Sequence, residues 1–173
     1  MKITFASVVA SFALVLSAYS ADVTAKLSDV HLCCKSCVKG VEAAIGKVPG
    51  ATATVDKDEG TVKLAGPDTA TVQKAVDALT AAGYFGKSSE PGIKVSAQTG
   101  AKGQKVQSLK VEGVHLCCGK CVTAVDEAVK SVSGVKSQNA VKNAESFEVT
   151  GDFNDKEVFT ALQKAGLTGK VGR

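Results

Sequence analysis

The sequence has no tryptophan, three prolines and a single methionine, and aromatic residues make up 5% of its 173 residues. Valine and alanine dominate the apolar residues, which suits small cores built from thin layers. Arginine is nearly absent, since 20 of the 21 basic residues are lysine, and interleaved acidic residues leave a net charge of +4. Such a surface lacks the arginine and aromatic interleaving of a nucleic-acid-binding protein. We therefore expect no nucleic-acid partner.

The motifs of common enzyme classes are also missing. No glycine-rich nucleotide fingerprint occurs in the sequence. The two histidines, His31 and His115, each stand inside a cysteine-rich motif, so no Ser-His-Asp arrangement can be assembled. The sequence therefore predicts a protein that is not an enzyme.

The first 20 residues are typical of a secretory signal peptide. A short positive start precedes an apolar run over 3–18, and the small residues Ala18 and Ser20 stand three and one positions before a predicted cut ahead of Ala21. The run is too short and wrongly flanked for a lasting membrane span. A retained N-terminal anchor is the alternative, which the cleavage site disfavours. We expect a secreted or periplasmic protein with no membrane insertion after residues 1–20 are removed.

The chain contains the same motif twice. Residues 30–38 realign with 114–122 at an offset of 84, and both segments contain His-Leu-Cys-Cys-x-x-Cys-Val. Residues 78–84 match 161–167 at an offset of 83, so one residue has been lost between the two matches. An internal repeat of this length predicts two copies of one structural unit.

We place the two domains at residues 21–87 and 105–173. Residues 88–104 between them are rich in Gly, Ser and Lys and are expected to form a flexible linker. In each domain, hydrophobic periodicity predicts the order β-loop-α-β-β-α-β. The expected fold class is α+β, with two βαββαβ sandwiches in tandem, each having two helices on one face of a four-stranded antiparallel sheet.

Several element boundaries can be predicted. Gly50 and Gly134 are expected to end the first helix of each domain. Asp68 and Asn154 are expected to cap the second helix. Residues 93–95 are a candidate for the last strand of the first domain.

All six cysteines lie in the two motifs. They are Cys33, Cys34, Cys37, Cys117, Cys118 and Cys121. In each motif a Cys-x-x-Cys pair stands at the predicted start of a helix, where free N–H groups and a partial positive charge favour the thiolate. Thiolates are soft ligands that prefer Cu(I), Zn(II) or Hg(II) to Mg or Ca. Each motif therefore predicts a soft-metal site.

Both domains resemble the heavy-metal-associated domain, the ferredoxin-like module of copper chaperones, mercury-binding periplasmic proteins and metal-pumping ATPases. The resemblance covers 24–87 and 105–172 and includes the Ala-Gly-Tyr at 82–84. It implies two ferredoxin-like domains and Cu(I) as the first metal, with Zn(II) and Hg(II) as alternatives. It also implies a metal-transporting membrane protein or another thiol-rich acceptor as partner. Leu167 replaces the aromatic in the second domain, so that site is expected to be less shielded.

The family's metal loop reads Gly-Met-x-Cys-x-x-Cys, and its two cysteines bind the ion. Carried over by position, the resemblance assigns the ligands to Cys34 and Cys37 in the first domain and to Cys118 and Cys121 in the second. Leu32 and Leu116 take the place of the family's methionine, an apolar plug beneath the loop. This substitution keeps the packing role.

The sequence departs from the family at two positions of each loop. His31 and His115 replace the glycine, and Cys33 and Cys117 occupy the variable position. A third thiol would allow three-coordinate binding, and histidine would complete a Cys₃His set suited to Zn(II). Adjacent residues of an extended loop point in opposite directions, so Cys33 and Cys34 cannot both face one ion unless the loop turns. Two roles are left for Cys33 and Cys117, a third metal ligand or a residue without a part in binding. Three roles are left for His31 and His115: a metal ligand, a cap of the loop or a solvated residue.

Two other uses of the cysteines compete with metal binding. Disulfides suit an exported protein, but three cysteines in each domain cannot all pair within it. Their clustering is also unlike a framework that closes long loops. A thiol-disulfide redox protein likewise has Cys-x-x-Cys at a helix N-terminus, although these domains are short for a thioredoxin fold. A structural or interaction module with oxidised cysteines is the remaining alternative to the metal carrier, chaperone or scavenger that we favour.

Overall fold

The computed structural model describes residues 22–173. The predicted signal peptide, residues 1–20, lies outside the described residues. Within 22–173, no helix has both the length and the apolar character needed to cross a membrane. The two cysteine motifs and the segment between them all fall inside the described part.

The first half of the described chain folds into one antiparallel sheet and two helices. Its elements are β1 (Val23–Ser28), α1 (Lys35–Ile45), β2 (Thr52–Asp56), β3 (Thr61–Gly66), α2 (Thr69–Ala81) and β4 (Lys87–Ser88). The strand order is β2-β3-β1-β4, so β1 lies between β3 and the short β4. The first cysteine motif connects the central strand β1 to α1.

The second half repeats this arrangement. Its elements are β5 (Lys105–Glu112), α3 (Gly119–Lys130), β6 (Val135–Gln138), β7 (Ser146–Asn154), α4 (Asp155–Lys164) and β8 (Lys170–Val171). The strand order β6-β7-β5-β8 is the counterpart of that in the first half. The α+β class predicted from the sequence is confirmed.

The predicted starts of the second helices agree with the structure. The side chains of Asp68 and Asn154 accept backbone N–H hydrogen bonds from the first turns of α2 and α4, as expected of N-caps. The first helix of each half, however, ends earlier than predicted: α1 ends at Ile45 and not at Gly50, and α3 ends at Lys130 and not at Gly134. The N–H of Val48 bonds to the carbonyl of Ile45 in a tighter turn, so the chain has already left the helix.

Small aliphatic side chains fill the space between the helices and the sheet in each half. Fully buried examples are Leu27, Val41, Leu64 and Val76 in the first half and Val111, Val125, Val149 and Leu162 in the second. Burial of one such side chain contributes about 1.5–3 kcal/mol. These two cores fix the helices on their sheets and so hold the cysteine motif that precedes α1 or α3.

Residues 88–104 do not form a free tether in this structure. The side-chain amide of Gln73 donates to the carbonyl of Lys94 and accepts from its N–H, at 2.8 and 2.9 Å. Ile93 is 4% exposed and packs into the core. It does not extend the sheet, because β4 is the fourth strand of the first half. The beginning of the connecting segment therefore belongs to the first half.

The end of the connecting segment is fixed by one buried carboxylate. Asp155, 6% exposed, accepts hydrogen bonds from the backbone N–H groups of Lys102, Gly103 and Gln104 at 2.7–2.9 Å. Burial alone raises the pKa of Asp155, but these N–H donors outweigh it and the pKa lies below its ordinary value. The segment is thus anchored to both halves.

We expect Asp155→Asn to lower the free energy of unfolding by about 1–3 kcal/mol near neutral pH, because the amide accepts these three bonds less well than the carboxylate. A carboxylate whose pKa is depressed by folding stabilises the protein above the unfolded pKa of about 3.9. That contribution is lost as the pH falls through the folded pKa. Urea unfolding should therefore show a difference between wild type and variant that narrows in acid.

The matched control is Asp152→Asn. Asp152 pairs with Lys105 at 3.1 Å on the surface, and an exposed ion pair contributes little. It should leave the unfolding midpoint nearly unchanged. Equal stability of Asp155→Asn and Asp152→Asn at neutral pH would contradict the anchoring role of Asp155.

Candidate metal centre

Each Cys-x-x-Cys pair lies at the N-terminus of a helix. Cys34 and Cys118 have extended backbones and are the N-caps of α1 and α3. Cys37 and Cys121 lie one turn later, fully buried, and their N–H groups bond to the carbonyls of the capping cysteines at 3.0 and 3.1 Å. The loops therefore have the strand-to-helix position that the sequence predicts.

Apolar residues pack beneath both loops. Leu32 and Leu116 are 5% and 4% exposed, as expected of a plug. Tyr84 is fully buried, and its hydroxyl donates to the carbonyl of Cys37 at 2.9 Å. Leu167, its counterpart, is also fully buried and pairs with Tyr84 in an antiparallel bridge. The bridge joins the two halves, which the sequence did not predict.

Backbone hydrogen bonds hold the two halves together beside the cysteine motifs. The N–H groups of His31 and Phe85 donate to the carbonyl of Gly166 at 3.2 and 3.0 Å. The N–H of Thr168 donates to the carbonyl of Gly83 at 2.9 Å. Phe85 and Thr168 are equivalent residues of the repeat, so the contact has near two-fold symmetry. It brings the two cysteine motifs face to face.

Glycine is required at the centre of this contact. Gly83 and Gly166 have φ of +89° and +76°, which side-chain-bearing residues rarely adopt. A Cβ at Gly83 would lie 2.6 Å from the amide nitrogen of His115. A Cβ at Gly166 would overlap the carbonyl oxygen of Asp29 and the amide nitrogen of His31. The close backbone approach of the halves therefore depends on these two glycines.

The six cysteine sulfurs meet at this contact and form one group, which we call the six-sulfur cluster. Across the halves, the Sγ–Sγ distances are 3.3 Å for Cys33–Cys118, 3.5 Å for Cys33–Cys121, Cys34–Cys117 and Cys37–Cys117, and 4.0 Å for Cys37–Cys121. Within the halves, they are 3.6 Å for Cys33–Cys37, 3.7 Å for Cys34–Cys37 and Cys117–Cys121, and 3.8 Å for Cys118–Cys121. All six are free thiols. The cysteines thus form one cluster and not two separate pairs.

The extra cysteine of each loop faces the opposite half. The sulfur of Cys33 is closer to Cys118 than to its own neighbours, and Cys117 approaches Cys34 and Cys37 in the same way. Successive residues of an extended loop do point apart, as expected. The side chains of Cys33 and Cys34 nevertheless both reach the cluster, because the second loop lies on the side that Cys33 faces. The structure brings all six predicted cysteines together.

The two histidines lie at the edge of the six-sulfur cluster. A ring nitrogen of His31 is within 4.8 Å of the sulfurs of Cys33 and Cys121. The ring of His115 stacks on Tyr84 with 4.6 Å between centroids. In the described residues, the Nε2 atoms of both histidines are buried without a hydrogen-bond partner. Burial lowers the pKa of His31 and so favours the neutral ring. These rings are therefore interface residues.

The thiols of the six-sulfur cluster differ widely in pKa. A hydrogen bond from Cys121 lowers the pKa of Cys37, and the same bond raises that of Cys121. Burial raises the pKa of Cys33 to about 12, whereas the N–H of Cys121 is the main cause that lowers the pKa of Cys118 to about 6. Thiolates this close repel one another, so full deprotonation requires bound cations.

No protein-family model and no curated protein matches the chain. Among solved structures, it is similar to oxidized MerP from Ralstonia metallidurans CH34, with 21% identity, 39% of this chain and 97% of that chain covered and a TM-score of 0.36. It is also similar to the N-terminal soluble domains of Bacillus subtilis CopA, with 16% identity and a TM-score of 0.33. That match covers 88% of this chain and 95% of the CopA chain. The first two RRM domains of yeast Pub1 match with 11% identity and a TM-score of 0.24, and the match covers 86% of this chain and 97% of the Pub1 chain.

Proposed function

We propose that this protein binds soft metal ions outside the cytoplasm and acts as a carrier, chaperone or scavenger. The observation that supports this most strongly is the six-sulfur cluster, in which groups of three ligand atoms lie within 4.8 Å of one another. Thiolates at these separations suit Cu(I) first, and Zn(II) or Hg(II) as alternatives. The ligands are the six cysteines, with His31 and His115 as additional candidates.

The proposal includes the organisation of the chain. Residues 21–87 and 105–173 are ferredoxin-like domains, joined by 88–104, and 1–20 are removed on export. No residue is assigned a catalytic role. The partner is a metal-transporting membrane protein or another acceptor with accessible thiols.

Exposure of part of the cluster supports a role in metal transfer. Cys37 and Cys121 are fully buried, whereas the other four cysteines are partly exposed. A partner's thiolate can bind an ion at the exposed side while a cysteine of this chain releases it. The ion then changes ligands without being free in water.

The test is an anaerobic titration of the reduced mature chain with Cu(I), Zn(II) and Hg(II), each in competition with a chelator and read by native mass spectrometry. We expect retained metal, with Cu(I) held more tightly than Zn(II). A variant with all six cysteines changed to serine is the control and should bind none. No retention by the wild type would overturn the proposal.

A thiol-disulfide redox protein is the second candidate. The 3.3 Å separation of the Cys33 and Cys118 sulfurs favours it, since oxidation there would join the two halves. Disulfide reductase or isomerase turnover by the metal-free protein, together with no metal retention, would decide for this candidate.

A further inference from the structure

The sulfur positions define an octahedron. Besides the nine short separations given above, Cys34 lies within 4.8 Å of Cys33 and Cys118, and Cys117 within 4.8 Å of Cys118. Each sulfur then neighbours four others. The remaining pairs are the opposite corners of the octahedron: Cys33 with Cys117, Cys34 with Cys121, and Cys37 with Cys118. Every corner that belongs to one half has close neighbours in the other.

The faces of this octahedron are triangles of a size that suits a three-coordinate ion. In the triangle of Cys34, Cys37 and Cys117, the sides are 3.7, 3.5 and 3.5 Å. An ion at its centre would lie about 2.1 Å from each sulfur, near the bond of about 2.3 Å between thiolate and a d¹⁰ metal. Only a small expansion is needed.

The same connectivity disfavours a tetrahedral zinc site made of cysteines alone, so four-coordinate zinc would need a ring nitrogen of His31 or His115 as a ligand. Any four corners of an octahedron include an opposite pair, so these six cysteines, all among the described residues, offer no set of four mutual neighbours. Structural Zn(II) is almost always four-coordinate and tetrahedral. Cu(I), which thiolates also select, accepts three ligands.

We propose that the six thiolates hold four Cu(I) ions as a single cluster, an inference that rests on the proposed function. Four alternate faces share no edge, and each sulfur belongs to two of them. Four ions therefore use every thiolate as a bridge between two ions. Binding four Cu⁺ displaces the protons of six thiols and leaves a cluster charge of −2, with no change in oxidation state. The other four faces are related to these by the near two-fold symmetry and would serve equally.

The experiment combines stoichiometry with the copper environment. The reduced mature chain is titrated anaerobically with Cu(I), and the loaded protein is studied by native mass spectrometry and copper X-ray absorption. We expect four ions per chain, about three sulfur neighbours per copper and a copper–copper scattering path. Two ions per chain, each with two sulfurs and no copper neighbour, would overturn the cluster and leave the proposed function standing. No bound copper would overturn both.

The double variant Cys33→Ser with Cys117→Ser separates the cluster from independent sites. Every face of the octahedron contains one of these two opposite corners, so the variant has no complete triangle. The stoichiometry should fall from four ions to two, held by the remaining Cys-x-x-Cys pairs, and the copper–copper path should disappear. A variant that keeps the wild-type stoichiometry and scattering would overturn the cluster. Circular dichroism identical to the wild type shows that the comparison is made between folded proteins.

Discussion

Gly166→Ala is expected to separate the two cysteine motifs and to reduce bound Cu(I) from four ions to two per chain. The new Cβ would overlap the backbone of Asp29 and His31 in the other half. Backbone atoms cannot yield as a flexible side chain can, so the halves must move apart. The sulfur separations across the halves then exceed the size of a triangular site, while each Cys-x-x-Cys pair stays intact.

Gly103→Ala is the matched control for this prediction. Its φ of +75° is nearly that of Gly166 at +76°, and a Cβ there would meet nothing within 4 Å. Both variants therefore incur the cost of a side chain at positive φ, about 1 kcal/mol. Only Gly166→Ala should lose the copper–copper path in X-ray absorption. Four ions retained by Gly166→Ala would show that close docking of the halves is not needed for the cluster.

Tyr84→Ala is expected to cause the largest loss of stability of the substitutions considered. Tyr84 is fully buried, stacks on His115 and hydrogen-bonds to Cys37. Truncating a large buried aromatic costs about 3–5 kcal/mol. Because its ring contacts both halves, the change should also loosen their docking. Urea unfolding of the reduced, metal-free protein measures the first effect, and copper stoichiometry measures the second.

Two further substitutions separate the contributions of the hydroxyl, the ring and the counterpart side chain to this loss of stability. Tyr84→Phe keeps the ring and removes the hydrogen bond to Cys37, so a loss of about 1 kcal/mol with four ions retained is expected. Leu167→Ala removes the counterpart side chain from the second half and should cost about 2–5 kcal/mol. If Tyr84→Ala were no more destabilising than Tyr84→Phe, the stacked ring would have no role in joining the halves.

The architecture of each half could be predicted from local patterns. The repeated motif predicted two copies of one unit, and the structure has equivalent strand orders in both halves. The caps at Asp68 and Asn154 follow from side-chain hydrogen bonds to the next turn. Such features depend on residues close in sequence. The ends of α1 at Ile45 and of α3 at Lys130 were missed because a glycine a few residues further on is only one of several ways to leave a helix.

The joining of the two motifs could not be predicted in this way. It depends on rigid-body docking, and the hydrogen bonds of Gly83 and Gly166 are made by backbone groups that any sequence carries. A signal was available in Gly83 and Gly166, which occupy equivalent positions of the repeat. A glycine directly after a helix is, however, ordinarily interpreted as a helix terminator. The role of Cys33 was ambiguous for the same reason, because the sulfurs of Cys118 and Cys121 that it approaches belong to the other motif.

The anchored segment 88–104 makes the encounter of the two loops a unimolecular event. Two separate one-motif chains would have to collide, lose translational freedom, and dissociate again on dilution. A covalent connection replaces their bulk concentration with a fixed effective concentration. Assembly of the shared site should therefore proceed with first-order kinetics and reach the same extent in a dilute solution as in a concentrated one. The protein behaves as a dimer that cannot be diluted apart.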